Sequence, residues 1–381
     1  MEALLAELRE FLTKEFPAWR AKWQDSDTWE AKLDWQRTMA GGRWTTATWP
    51  EEFGGRGLGT MEMLAIEDVV AQYGAPQIPG MIGVKNVAPT LMRFGNEEQR
   101  KSVARIANTD EFWCQGFSEP GAGSDLASLR TRAVIDGDDF VINGQKVWTS
   151  NGMYATHMQL LARTDIDAPK HKGISAIVVP INTPGLEVRP IKQINGGAEF
   201  AEVFFTDVRV PVANLIGPLN EGWNVTMTTL GHERAGVAVF AGRLEQRIRN
   251  LIEDVSKKDT PVSPVLSDGL AEHYVESRVL GMMGRQMLAK IADGVAPGSE
   301  SSVIKMVWSE LSQRVDTTVM ELAGVDGITG DDNAAKSGYL TARSATIAAG
   351  TSFLCWRDWL PWPDMSCNGS VCQRPLATPM N

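Results

Sequence analysis

The sequence predicts an α+β chain built as a helical part, a β part and a second helical part, and three observations carry that expectation. Apolar residues recur at helical spacing up to about residue 109, the period switches to two between Trp113 and Pro211, and it becomes helical again beyond Gly222. Of the 381 residues, 43% are hydrophobic and 22% charged, the composition of a globular chain long enough for two or three cores. The expected divisions are residues 1–112, 113–215 and 216–352, followed by a stretch, 353–381, that fits none of them.

Taken in order, Leu4, Leu5, Leu8, Phe11, Leu12 and Trp19 share one face and predict a surface helix. Its acidic residues argue against a signal or transit peptide. Residues 61–73 and 99–107 are the clearest further helices, between breaks at Gly41-Gly42, the turn WPEEFGG (49–55), Gly74-Ala75-Pro76 and Gly95-Asn96. In the middle part, strands are expected at 113–117, 157–162, 174–181, 186–190 and 202–205. Asp136-Gly137 and Asn143-Gly144, each flanked by alternating residues, predict two tight hairpins within a small antiparallel barrel or sandwich. Helical stretches at 223–240, 242–256, 266–292 and 301–322 then predict an antiparallel four-helix bundle. Prolines at 361, 363, 375 and 379 predict a mostly irregular end.

The net charge of -10, with no cluster of Lys and Arg, argues against nucleic acid or an anionic membrane as partner. No apolar run is long enough to cross a bilayer. There are four cysteines, three of them in the last thirty residues, so no disulfide framework organises the body, and a reducing, cytoplasmic setting is expected. Cys367 and Cys372 lack a second ligand pair, and no metal site is expected.

The chemistry concentrates between Phe117 and Ser150. The run FSEPGAGSD (117–125) places two glycines and a proline where the backbone can approach a bulky polar ligand, and NGQKVWTSNG (143–152) follows. Together the two segments resemble the flavin-binding segment of the acyl-CoA dehydrogenases, a long and ordered match. The WPEEFGG turn also resembles a recurrent feature of that family. The resemblance implies its architecture: an N-terminal helical domain, a middle antiparallel β domain and a C-terminal four-helix bundle. It further implies FAD as cofactor, held at Phe117, Ser118, Gly123, Trp148 and Ser150, with Ser124 turned toward the CoA moiety. The alternative for Trp148 alone is a buried aromatic at a hairpin tip.

Removing the proton α to a thioester requires a carboxylate base and hydrogen bonds to the carbonyl oxygen. In the resembled family the base is a glutamate either just before a Gly-Thr-Ser motif or on the first long C-terminal helix. Before Gly350-Thr351-Ser352 this chain has Ala349, whereas Leu230-Gly231-His232-Glu233-Arg234 matches the helix placement. The resemblance therefore implies Glu233 as base, with Arg234 beside it in the substrate site and the Ala349 backbone N–H on the carbonyl. The same residues read alone are ordinary charges near a helix start.

Three departures from the family pattern stand out. Ser256 to Val262 lacks the arginine that reaches a neighbouring subunit's FAD diphosphate, and Glu321 to Gly327 replaces a Gln and a Gly of the segment that cradles the adenosine half. The pattern also changes right after Ser352, where family members continue with a helix; a shifted reading frame is one explanation, which an unshifted coding sequence would exclude. The first two losses fall on contacts between subunits, so the chain resembles one subunit of a heteromeric acyl-CoA dehydrogenase such as those of bacterial steroid side-chain degradation. The implied partners are an acyl-CoA substrate, an electron-transferring flavoprotein and an identical or second acyl-CoA dehydrogenase chain. The alternatives are an acyl-CoA oxidase and a non-catalytic subunit completing a partner's FAD site.

Overall fold

The N-terminal residues of the computed structural model form α1 (Glu2–Trp23), α2 (Trp29–Gly41), α3 (Thr60–Gln72), α4 (Ala88–Phe94) and α5 (Glu97–Ala107). The structure describes residues 1–359 other than 25, 27, 258–260, 296–297 and 331–333. The expected face of α1 is the buried one: Leu8, Leu12, Phe16 and Trp19 pack on Trp35 and Met39 of α2 and on Ile66 and Val69 of α3. Burying each of these side chains contributes about 1.5–3 kcal/mol. The Thr28 hydroxyl caps α2 by accepting from the Ala31 N–H, and Asn96 with Gln99 forms a capping box that opens α5. The WPEEFGG turn is an internal anchor. Trp49 is buried and donates its indole N–H to the Val84 carbonyl at 3.1 Å, and a Cβ on Gly55 would lie 2.0 Å from the Trp49 oxygen.

Eight strands follow: β1 (Trp113–Gly116), β2 (Arg132–Asp136), β3 (Asp139–Ser150), β4 (His157–Arg163), β5 (Ile174–Pro180), β6 (Leu186–Ile191), β7 (Phe200–Pro211) and β8 (Leu215–Ile216). They form one sheet in the order β6-β7-β3-β2-β4-β5-β8, with β1 beside β4. The pairing is antiparallel except where β1 and the start of β2 meet β4. β4 and β5 are buried on both faces, whereas β3 and β7 alternate, as strands with one solvated face do.

The Asp136-Gly137 hairpin forms as expected, joining β2 to β3. Asn143-Gly144 does not turn. It lies inside β3, opposite a bulge in β7 at Thr206-Asp207. Asn143 spans that bulge: its side-chain amide donates to the Asp207 carboxylate and its side-chain oxygen accepts the Asp207 N–H, each at 2.9 Å. Gly144, at φ +149°, lets the strand pass the Thr131 backbone, to which a Cβ would come within 2.7 Å. The dipeptide serves a bulge and a close approach rather than a hairpin.

The rest is helical: α6 (Gly222–Ser256), α7 (Pro264–Ala292), α8 (Glu300–Ala323), α9 (Asp326–Thr329), α10 (Ala334–Ala342) and α11 (Ser352–Trp359). The separation expected between the stretches 223–240 and 242–256 is absent. One glycine costs about 1 kcal/mol in a helix interior, less than ending and renucleating it. Contacts divide the described residues into two compact units, Met1–Val239 with Leu288–Ala296, and Phe240–Met287 with those after 297. In the second unit, Glu245 of α6 pairs with Arg278 and Arg285 of α7 at 2.6 and 3.4 Å, and with Arg249 at 3.1 Å. Arg247 of α6 pairs with Asp316 of α8, and His273 of α7 meets the Thr318 hydroxyl of α8 at 3.0 Å. Among the described residues the C-terminal part thus has three long helices, with shorter α10 and α11 packed on α8.

The expectation of irregular structure from residue 353 fails at its start, because α11 carries the helix to Trp359 and buries Cys355. The first proline, Pro361, comes too late to prevent it. The four prolines, Cys367 and Cys372 lie outside the described residues.

Candidate functional site

The loop after β1 and the end of β3 are tied together by a buried charge. Lys146 of β3 is fully buried, and its ammonium donates to the Phe117 carbonyl at 2.9 Å and to the Glu119 carboxylate at 2.8 Å. Glu119 also accepts the backbone N–H groups of Arg130 at 2.7 Å and Thr131 at 2.8 Å. One residue on, the Val147 N–H donates to the Ser118 carbonyl at 2.9 Å. Phe117 and Ser118 are therefore placed against β3 by their carbonyls, and among the described residues the Ser118 hydroxyl bonds to no protein group.

Burial pushes the Lys146 ammonium down to about 8, against the opposing pull of Glu119. Burial works to raise the Glu119 carboxyl, but Lys146 and the Thr131 bonds outweigh it and hold the group below its ordinary value. The pair is an ion pair in the fold. Neither residue stood out as a site residue in the sequence, although a lysine at an inward position of an alternating strand was a visible signal.

Trp148 is the other outcome of this geometry. Between Lys146 and Thr149, two residues of β3 oppose one of β7, and in this bulge Trp148 takes a left-handed backbone, φ +60°. The residue is 58% exposed, its indole touching Phe200 edge-on at 6.0 Å between centroids. The alternative of a buried hairpin-tip aromatic is thus excluded: Trp148 lies within a strand and points outward. A bulged strand re-aims a side chain, and a non-glycine residue in the left-handed region costs about 1–2 kcal/mol. Ser150, half-buried opposite Phe200, ends the strand, and the next N–H, that of Asn151, donates to the Glu199 carbonyl at 2.7 Å.

The loop itself is a tight turn, with Glu119 and Ala122 exchanging backbone hydrogen bonds. Neither Gly121 nor Gly123 has a positive φ, and no protein atom lies within 4 Å of where a Cβ would be on either. The fold's own packing does not require glycine at these positions. The bare backbone leaves room for something outside the chain, and together with the outward indole it fits a large flat polar cofactor such as FAD. Ser124 is exposed at the end of this turn, next to Asp125, which is held by Lys170 at 2.5 Å and by the Ser128 hydroxyl at 2.6 Å.

The remaining expected site residues are placed separately. Glu233 and Arg234 lie on α6, and their side chains are outside what the structure describes. Ala349 sits in the second unit in a turn with left-handed backbone at both Ala349 (φ +53°) and Gly350 (φ +97°). Ala349 is exposed, and its N–H donates to no acceptor among the described residues. Buried Lys305 of α8 holds this turn by donating to the Gly350 carbonyl, and Gln313 of the same helix donates to the Thr346 hydroxyl at 2.9 Å.

Models of the acyl-CoA dehydrogenase N-terminal, middle and C-terminal domains match residues 1–108, 114–208 and 220–357. The fold is that of a class of oxidoreductases, and this chain belongs to the acyl-CoA dehydrogenase family. It is 35% identical to acyl-CoA dehydrogenase IpdE1 of Mycobacterium tuberculosis over 335 residues, 86% of each chain. Among solved structures it is similar to the Tcur3481-Tcur3483 steroid ACAD, with a TM-score of 0.83, 30% identity, and coverage of 94% of this chain and 96% of that one. It also resembles the ChsE4-ChsE5 complex of M. tuberculosis, with a TM-score of 0.79, 30% identity and coverage of 94% and 95%. The C-terminal match reaches residue 357, so the family's helix after Gly-Thr-Ser is present as α11 and the departure lies beyond it.

Proposed function

We propose that this chain is a catalytic subunit of an FAD-dependent acyl-CoA dehydrogenase that converts an acyl-CoA to the trans-2-enoyl-CoA. The observation that carries the reading is Trp148, held outward on a strained bulge beside the loop that Lys146 pins. FAD supplies the hydride acceptor that no side chain provides. Phe117, Ser118, Gly123, Trp148 and Ser150 hold it, while Ser124 and Arg234 face the acyl-CoA. The Ala349 N–H hydrogen-bonds the thioester carbonyl, which acidifies the α-proton, and Glu233 removes that proton. The electrons leave to an electron-transferring flavoprotein in the cytoplasm. Domain boundaries near residues 112, 215 and 352 belong to the same reading.

The chain acts in this reading as one member of a hetero-oligomer with a second acyl-CoA dehydrogenase chain, on a bulky, steroid-like acyl-CoA. Support comes from the two-chain descriptions of its structural relatives and from the acidic Glu321 where a diphosphate cofactor is normally cradled. A surface feature agrees: Val275, Val279 and Met282 form an exposed apolar stripe one turn apart on α7, 61%, 53% and 49% exposed. Among the described residues no helix is long and apolar enough to cross a membrane. The test is flavin absorbance and native mass of the chain expressed alone and with a second such chain. A homotetramer with about one FAD per subunit would remove the heteromer part. Glu233→Gln that leaves turnover intact would make the chain a non-catalytic subunit.

A further inference from the structure

Lys146 and Glu119 have no assigned part in the chemistry, yet they join the flavin loop to the strand that presents Trp148. We infer that this buried pair is the positioning device of the cofactor site: it sets the register between Phe117-Ser118 and the Trp148 indole, so that the loop and the aromatic bind one flavin together. The inference rests on the flavin reading above and deepens it.

The argument is geometric. Lys146 has two named acceptors from the loop, the Phe117 carbonyl and the Glu119 carboxylate, at 2.9 and 2.8 Å. Glu119 also gathers the Arg130 and Thr131 N–H groups, which lead into β2, so one carboxylate joins the loop's start, its exit and β3. Between Lys146 and Trp148 lies a single residue, Val147, whose N–H adds the bond to Ser118. A shift of the loop along β3 breaks both Lys146 bonds and the Val147 bond together. A buried pair of apolar residues would fill the same space without fixing that register, because apolar contacts are not directional.

The test uses the full chain with both charges removed together, Glu119→Gln with Lys146→Met, so that no unpaired charge is left buried. Two quantities are read: amide hydrogen exchange of the flavin-free protein, and affinity for FAD by titration, each with and without the second chain. The expected result is exchange at Val147, Arg130 and Thr131 at least tenfold faster with the rest of the β domain unchanged, and FAD binding at least tenfold weaker. Faster exchange with unchanged FAD affinity, or unchanged exchange, overturns the positioning role. If the double variant does not fold, Glu119→Gln alone is read by the same two measurements with the same outcomes. A wild-type chain that takes up no FAD under either condition instead overturns the flavin reading, and this inference with it.

Discussion

Replacing Trp148 by Ala removes the group on which the cofactor assignment most depends. A tryptophan offers about 200 Å² of side-chain surface. With 58% of it exposed, roughly 120 Å² is available to be covered. At about 25 cal/mol per Å² that area is worth about 3 kcal/mol, or roughly a hundredfold in the FAD dissociation constant. The flavin-free protein, in contrast, loses only the edge contact with Phe200, worth about 0.5–1.5 kcal/mol. The left-handed backbone at position 148 is as unfavourable for Ala as for Trp, so that strain cancels. The assay is fluorescence titration of FAD into wild type and Trp148→Ala, with thermal unfolding of both flavin-free proteins. FAD affinity within threefold of wild type would refute the stacking role. A large drop in the melting temperature of the flavin-free variant would show instead that the indole is structural.

Three further outcomes are expected. Glu233→Gln lowers turnover with acyl-CoA by about 10²–10⁴-fold with the FAD spectrum unchanged, as loss of a general base does; stopped-flow reduction under anaerobic conditions measures it. Gly144→Ala destabilises the fold by about 3 kcal/mol, because a Cβ meets the Thr131 backbone and the backbone there is left-handed, and denaturant unfolding reports it. On acidification, Glu119 binds fewer protons folded than unfolded, because its folded value lies below the ordinary carboxylate value. Its contribution is present above the unfolded value of about 4.3 and fades as pH falls through the lower folded one. Unfolding at pH 3 to 6 should therefore show a shallower acid loss in Glu119→Gln than in wild type, and parallel curves would count against the pair.

Helix and strand identities were legible because they follow from the period of apolar residues, a local property: the buried face of α1 and the Asp136-Gly137 hairpin appear where the sequence placed them. The tight turn within 117–125 was legible for a similar reason, since glycine and proline restrict or free the backbone on their own account. Where the expectation failed, the deciding partner was distant in sequence. Asn143-Gly144 has hairpin chemistry, but Asp207 and Thr131 make it a bulge and a crossing point. Gly242 is a weak local break that helix continuation overrode, and residues 353–359 hold no proline or glycine to stop α11.

By itself, then, the amino-acid order determined the α, β, α succession and a bare loop near an aromatic, because these depend on neighbours along the chain. Only the tertiary structure decided that Lys146 is buried against Phe117 and Glu119, that Trp148 faces outward on a bulge, and that Lys305 holds the turn carrying Ala349. Those depend on which strand or helix lies alongside, and burial of a charge becomes tolerable only once its partner is in place.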